Sequence, residues 1–210
     1  MSNLTLDPTT TALVVIDMQN DFCDPGGFYA RIGRDISAFA AVIAPIDAMA
    51  TRARAAGMPV VFTRLVHDPV RGAMEERHAL RPKRWTTTGK RLMPGSDGAD
   101  VVAGLPVQDG DIVVDKSGYS AFAGTDLTAQ LRARGIRTLM FCGVVTYACV
   151  LSSAFAAFDE DFDVVLLEDL SGTWDDTLGR GTGRIVDLLL GHTVPSDTIT
   201  FQRTAARSAG

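Results

Sequence analysis

Residues 12–17 read ALVVID, a continuous apolar run closed by an acid. A strand buried on both faces of a parallel sheet has this pattern, because helices cover both sides and leave no face for polar residues. The pattern returns at PVVFTRL from Pro59, DIVVDK from Asp111, IRTLMFCG from Ile136 and DVVLLED from Asp163, and a shorter sixth strand is expected near Ile199. Helical periodicity fills the gaps. Ile36, Phe39, Ile43, Ile46 and Ala50 follow Asp35 at helical spacing, with Gly57 as the stop and Pro45 as a potential kink. Residues 126–134, 150–158 and 185–190 repeat the signal. Strands alternating with helices imply right-handed crossovers, hence an α/β fold with a mostly parallel six-stranded sheet and helices on both faces.

The length of 210 residues, 46% hydrophobic and 21% charged, suits one domain spanning 1–210 around a sizeable core. A net charge of -5 without a basic stripe argues against nucleic acid as a partner. No basic-then-apolar leader opens the chain, and no apolar run approaches the roughly 18 residues of a membrane span, so a soluble cytoplasmic protein is expected. Residues 66–110 are rich in turn formers and too long for a plain connection. They read as an insertion with a short helix or two, covering a sheet edge or the mouth of a site. Its cluster of Arg81, Lys83, Arg84 and Trp85 suits either a carboxylate ligand or a face turned to solvent or a neighbouring subunit.

Ligands of open parallel sheets bind beyond the carboxyl ends of the strands. Asp17 ends the first strand, Lys116 ends the third, and Cys149 lies shortly after the fourth at the start of a helix, so one crevice can hold all three. A helix N-terminus and a nearby lysine both favour a thiolate and would lower the thiol pKa. Asp17 would serve as proton carrier, with Lys116 holding two anions close together. Backbone N–H groups around Val145 and Cys149 would face a carbonyl oxygen above the helix start, the geometry of an oxyanion hole, which implies acyl transfer. Each residue also has a plain structural reading: a turn cap, an exposed strand-end lysine, an inert buried thiol. The trio carries the inference together.

Cys142 lies inside an apolar run as a core residue, and Cys23 in DFCDPGG is a candidate pocket wall. Three unevenly spaced cysteines make neither a disulfide framework nor paired zinc ligands. His67, His78 and His192 lack metal-ligand spacing, so no metal is expected, and His67 reads as a surface or pocket residue. The GRGTGR string at Gly179 lacks the preceding strand of a dinucleotide fingerprint. Asn20, Phe22, Tyr119, Phe122 and Tyr147 neighbour the trio in sequence and are candidate substrate-binding residues for a small planar amide.

ALVVIDMQNDF at 12–22, DKSGYSAFAGTDL at 115–127 and GVVTYACVLSSAF at 143–155 together resemble the isochorismatase-like cysteine hydrolases, over nearly the whole chain. The resemblance implies a Rossmann-like sheet, an Asp17, Lys116 and Cys149 catalytic triad, a cis peptide between Val144 and Val145, oxyanion-hole amides at Val145 and Cys149, no cofactor, and assembly as homodimers or homotetramers. It further implies hydrolysis of a C–N bond of a small amide, ureide or carbamoyl compound through a thioester, releasing ammonia. Nicotinamidases of this group carry an Asp-x-His metal motif where this chain has Leu65, Val66 and His67, and true isochorismatases lack the cysteine. Biuret and ureidoacrylate hydrolases are the more similar branches, although Tyr119 stands where biuret hydrolases tend to place a second lysine. Tyr147 and Ala148 replace the usual Asn or Asp and Val before the nucleophile. Alternatives are a nicotinamidase-like or maleamate-type amidase and, outside enzymes, a non-catalytic small-molecule-binding or thiol-sensing protein on the same fold.

Overall fold

The ALVVID run becomes the middle of the main sheet. In the computed structural model, which describes residues 3–68, 70, 72, 77, 78, 80 and 91–203, the chain passes through β1 (Leu4–Leu6), β2 (Thr11–Ile16), α1 (Asn20–Cys23), α2 (Phe28–Arg31), α3 (Ser37–Ala40), α4 (Ile43–Ala55) and β3 (Val60–Leu65). It continues through β4 (Ile112–Lys116), α5 (Leu127–Ala133), β5 (Thr138–Val144), α6 (Leu151–Asp159), β6 (Asp163–Gly172), α7 (Asp176–Leu189), β7 (Gly191–Val194) and β8 (Ile199–Phe201).

The main sheet has six parallel strands in the order β4-β3-β2-β5-β6-β7. Its side chains divide between two cores. Leu13 and Val15 of β2 join a cluster with Ile46, Met49, Ala50 and Ala53 of α4. Ala12, Val14 and Ile16 join another with Leu127 and Leu131 of α5, Ala154 and Ala157 of α6 and Val186 of α7. Both faces of β2 are therefore dry, which is why the strand is apolar from Ala12 to Ile16. Edge strand β4 alternates instead, with Val113 and Asp115 exposed.

Three sequence expectations change. The sixth strand of the sheet is β7, whose GHTV offers too little apolar character to be read as a strand, while the strand near Ile199 pairs with β1 in a separate two-stranded parallel sheet. Residues 36–50 form two helices with a break at Ala41 and Val42, so Pro45 sits in the first turn of α4, where a missing N–H costs no helical bond. Helix α7 begins at Asp176, nine residues ahead of the region read as helical, and contains the GRGTGR string, capped by the Asp175 carboxylate accepting from Leu178 N–H at 3.0 Å. Of the 66–110 segment, a 3₁₀ turn at Asp97–Ala99 and a bridge from Val101 to Gln19 are described. Arg81, Lys83, Arg84 and Trp85 lie outside the described residues. Among the described residues, no helix is long and apolar enough to cross a membrane.

Candidate active site

The strand order reverses between β2 and β5, since the chain builds outward through β3 and β4 on one side and through β6 and β7 on the other. Such a reversal opens a crevice at the strands' carboxyl ends, because the connections leaving β2 and β5 diverge to opposite faces. Asp17 stands at the end of β2 and Cys149 a few residues past β5. Between them the backbones come very close: Gly143 has φ +107, and a Cβ there would lie 2.2 Å from the Ile16 carbonyl oxygen. Only glycine fits.

Asp17 is fully buried and has φ 50, a left-handed conformation that costs an aspartate about 1 kcal/mol or more unless its surroundings impose it. They do. Its N–H donates to Thr63, its Oδ1 accepts from Thr63 Oγ1 at 2.6 Å, and its Oδ2 accepts from Lys116 Nζ at 2.7 Å. Lys116 Nζ gives its other hydrogens to the carbonyls of Gly118 and Tyr119, both at 3.0 Å. All three ammonium donors are used, so the buried ion pair has the hydrogen bonds that desolvated charges require. Burial pulls the Lys116 pKa down, but Asp17 and Cys149 beside it outweigh burial and hold it above the ordinary lysine value.

Cys149 sits in a π-helical turn, Thr146–Val150, ahead of α6. Three bonds fix that turn: Thr146 Oγ1 donates to Gly172 O at 2.8 Å, Ser153 Oγ donates to Cys149 O at 2.7 Å, and Ala121 N–H donates to Ser153 Oγ at 3.0 Å. The peptide between Val144 and Val145 is cis. Burial pushes the Cys149 thiol up to about 12; Lys116 pulls it down, and Asp17 pushes it up. The expectation of a lowered thiol pKa is thus corrected. Desolvation outweighs the pull of Lys116 and favours the thiol.

The thiol borders a cavity of about 130 Å³. Of the residues expected in its wall, Phe22, Tyr119 and Tyr147 line it. Asn20 and Phe122 do not: Asn20 Nδ2 donates to Asp97 O at 2.8 Å, tying α1 to the 3₁₀ turn, and Phe122 packs in the core against Phe162, ring centroids 6.1 Å apart. Cys23 is a core residue too, its thiol pushed up to about 12 by burial, and burial likewise raises Cys142. His67 lines the cavity, as do Tyr29, Arg91, Leu92, Ser117 and Trp174, which sequence neighbourhood did not reveal. Tyr29 lies between Phe22 (5.1 Å, stacked) and Trp174 (5.1 Å, tilted), and Trp174 Nε1 donates to Asp35 O at 2.9 Å.

Residues 11–180 match the isochorismatase domain. The chain belongs to the isochorismatase family. Among solved members and relatives, a cysteine hydrolase from Pseudomonas syringae pv. phaseolicola 1448A is 25% identical with a TM-score of 0.77, covering 94% of this chain and 93% of its own. An isochorismatase family protein from Desulfovibrio vulgaris subsp. vulgaris str. Hildenborough is 30% identical, with a TM-score of 0.76 over 89% of this chain and 94% of its own. A pyrazinamidase of Pyrococcus horikoshii, solved in complex with zinc, is 25% identical, with a TM-score of 0.74 over 89% and 99%. These three proteins share the fold over 93% to 99% of their own length.

For a zinc ion of that kind this chain is poorly equipped. Leu65 is aliphatic, and its backbone N–H and carbonyl are both taken by the Gln19 side chain. Among the described residues, no three His, Cys, Asp or Glu side chains gather into a group able to hold a metal. His67 lines the cavity wall and belongs to no such group among the described residues.

Proposed function

We propose that the chain is a cysteine amidohydrolase that cleaves the C–N bond of a small amide, ureide or carbamoyl compound and releases ammonia, with Asp17, Lys116 and Cys149 as its catalytic residues. One observation carries this reading: a fully buried Asp17–Lys116 ion pair at 2.7 Å next to a cysteine that lines a cavity rich in aromatic side chains. The Asp17 carboxylate takes the Cys149 proton while Lys116 stabilises the paired anions. The thiolate attacks the carbonyl carbon, and the amides of Val145 and Cys149 hold the resulting oxyanion. Asp17 returns the proton to the nitrogen, the C–N bond breaks and ammonia leaves. Water, deprotonated by Asp17, then cleaves the thioester, giving the acid and restoring the thiol. No step needs a metal or cofactor.

A thiol-sensing role is the less suited alternative, because a sensor needs a standing thiolate and burial holds this group as a thiol. The test is ammonia release from biuret, ureidoacrylate, N-carbamoyl amino acids, maleamate and nicotinamide by wild type and Cys149→Ala, with and without chelator. Release that vanishes in the variant and survives chelation is expected; release that persists in the variant overturns the nucleophile. Assembly as a homodimer or homotetramer belongs to the same proposal and is read by analytical ultracentrifugation.

A further inference from the structure

We infer that Thr63 is a positioning residue for the reaction: its hydroxyl holds the Asp17 carboxylate in place beside Cys149, and it acts only through that acid. The proton transfer this serves rests on the hydrolase reading, whereas the hold itself rests on separate contacts. Strand β3 lies between β2 and β4, so the Asp17–Lys116 ion pair spans the strand that carries Thr63. Thr63 pairs with Ile16 in the parallel register and is 1% exposed. The other buried positions of β3, Val60, Val61, Phe62 and Leu65, are all apolar. A hydroxyl taken into such surroundings is costly unless it is paired.

Asp17 pairs with Thr63 three times over. Asp17 N–H donates to both the carbonyl and the Oγ1 of Thr63, each at 3.2 Å, and Thr63 Oγ1 donates to Asp17 Oδ1 at 2.6 Å. A carboxylate in an ion pair can only accept, so the hydroxyl proton points at Oδ1 and the hydroxyl lone pairs remain for the N–H. One side chain thus grips the backbone and the carboxyl group of the same residue. Asp17 needs that grip, because at φ 50 it holds a conformation its own backbone disfavours. Lys116 secures only Oδ2, at 2.7 Å. A single contact would let the carboxylate pivot about it; the second contact at Oδ1 removes that freedom and keeps the group beside Cys149. Misplacing a reacting group by about 1 Å costs on the order of 10²-fold in rate. Thr63 is not among the described residues lining the cavity, so its hydroxyl serves the chemical step and not substrate binding.

The test separates the hydroxyl from the methyl. Thr63→Val keeps the shape and loses the hydroxyl, whereas Thr63→Ser keeps the hydroxyl and loses a buried methyl. Ammonia release by both is measured with the compound of the panel that the wild type turns over fastest, and both are crystallised. Thr63→Val should lower kcat by about 30- to 300-fold with KM within about threefold, the signature of a contact that matters in the transition state. Its crystal structure should show the Asp17 carboxylate turned away from Cys149. Thr63→Ser should keep kcat within about threefold although the lost methyl lowers its urea midpoint. Activity that follows the urea midpoint instead of the hydroxyl marks a purely structural Thr63 and overturns the inference. So does a Thr63→Val enzyme as fast as wild type, a loss carried by KM, or an Asp17 carboxylate unmoved in the Thr63→Val crystal. If Thr63→Val does not fold, Thr63→Ala takes its place in the same comparison with Thr63→Ser. A wild type that releases no ammonia from any compound sinks the hydrolase reading, and the position of Asp17 in the two crystal structures then decides the hold by itself.

Discussion

Cys149 meets opposing influences whose balance sets its chemistry. Burial and the Asp17 charge favour the thiol, and Lys116 favours the thiolate. With the thiol pushed up to about 12, alkylation by iodoacetamide should be slow at neutral pH and should rise about tenfold per pH unit without levelling off below pH 10. Asp17→Asn removes a charge that raises the thiol pKa, so alkylation should become faster at neutral pH. Hydrolysis by the same variant should fall by about 10²- to 10⁴-fold, because the proton carrier is gone. Measured side by side, the two rates should move in opposite directions; a parallel fall would show that Asp17 only supports the fold. Lys116→Met leaves a buried carboxylate without its cation and should cost about 3–5 kcal/mol in urea unfolding. Asp17 and Lys116 were legible in the sequence because each is a polar end to an apolar run, and Cys149 because it follows the next run across a turn into a helix. Arg91, Tyr29 and Trp174 were not, since they reach the cavity from segments distant along the chain and no local pattern marks them.

At the level of elements, Gln19 is a clasp that no periodicity announces. Its Nε2 donates to Leu65 O at 3.0 Å and Ala99 O at 2.8 Å, and its Oε1 accepts from Leu65 N–H at 2.8 Å. One fully buried amide therefore joins the chain just past β2 to the end of β3 and to the 3₁₀ turn. Gln19→Leu keeps the bulk but strands three backbone groups, and should cost about 2–4 kcal/mol by chemical denaturation. A loss under about 0.5 kcal/mol would mean that water replaces the clasp. Buried strands β2, β3, β5 and β6 were readable from their unbroken apolar runs. Strand β7 was not, because its GHTV sequence is exposed to intermediate degree and shows neither alternation nor an apolar block. Local sequence is equally silent on β1, which is defined only by a partner 195 positions away.

For the whole molecule, the three cysteines are all free and buried, and burial raises the pKa of each. Above pH 9 the unfolded chain releases thiol protons that the folded chain retains, so the unfolded state binds fewer protons and stability falls as pH rises. Lys116, also raised, adds to the fall at higher pH. Each thiol contributes a slope of roughly 1 kcal/mol per pH unit in that window. Urea unfolding at pH 8, 9 and 10 should therefore show a steep alkaline decline, made shallower by Cys142→Ala; a flat profile would contradict protonated core thiols.

The pairing of β1 with β8 also bears on how the chain is made. A polypeptide emerges from its amino end, so Leu4–Leu6 appears 195 residues ahead of its hydrogen-bonding partner Ile199–Phe201. The six-stranded sheet has everything it needs once Val194 is out. The small sheet therefore cannot close until every strand of the six-stranded sheet has been made, and a chain held short of residue 199 would carry all six of those strands while β1 still lacked its partner.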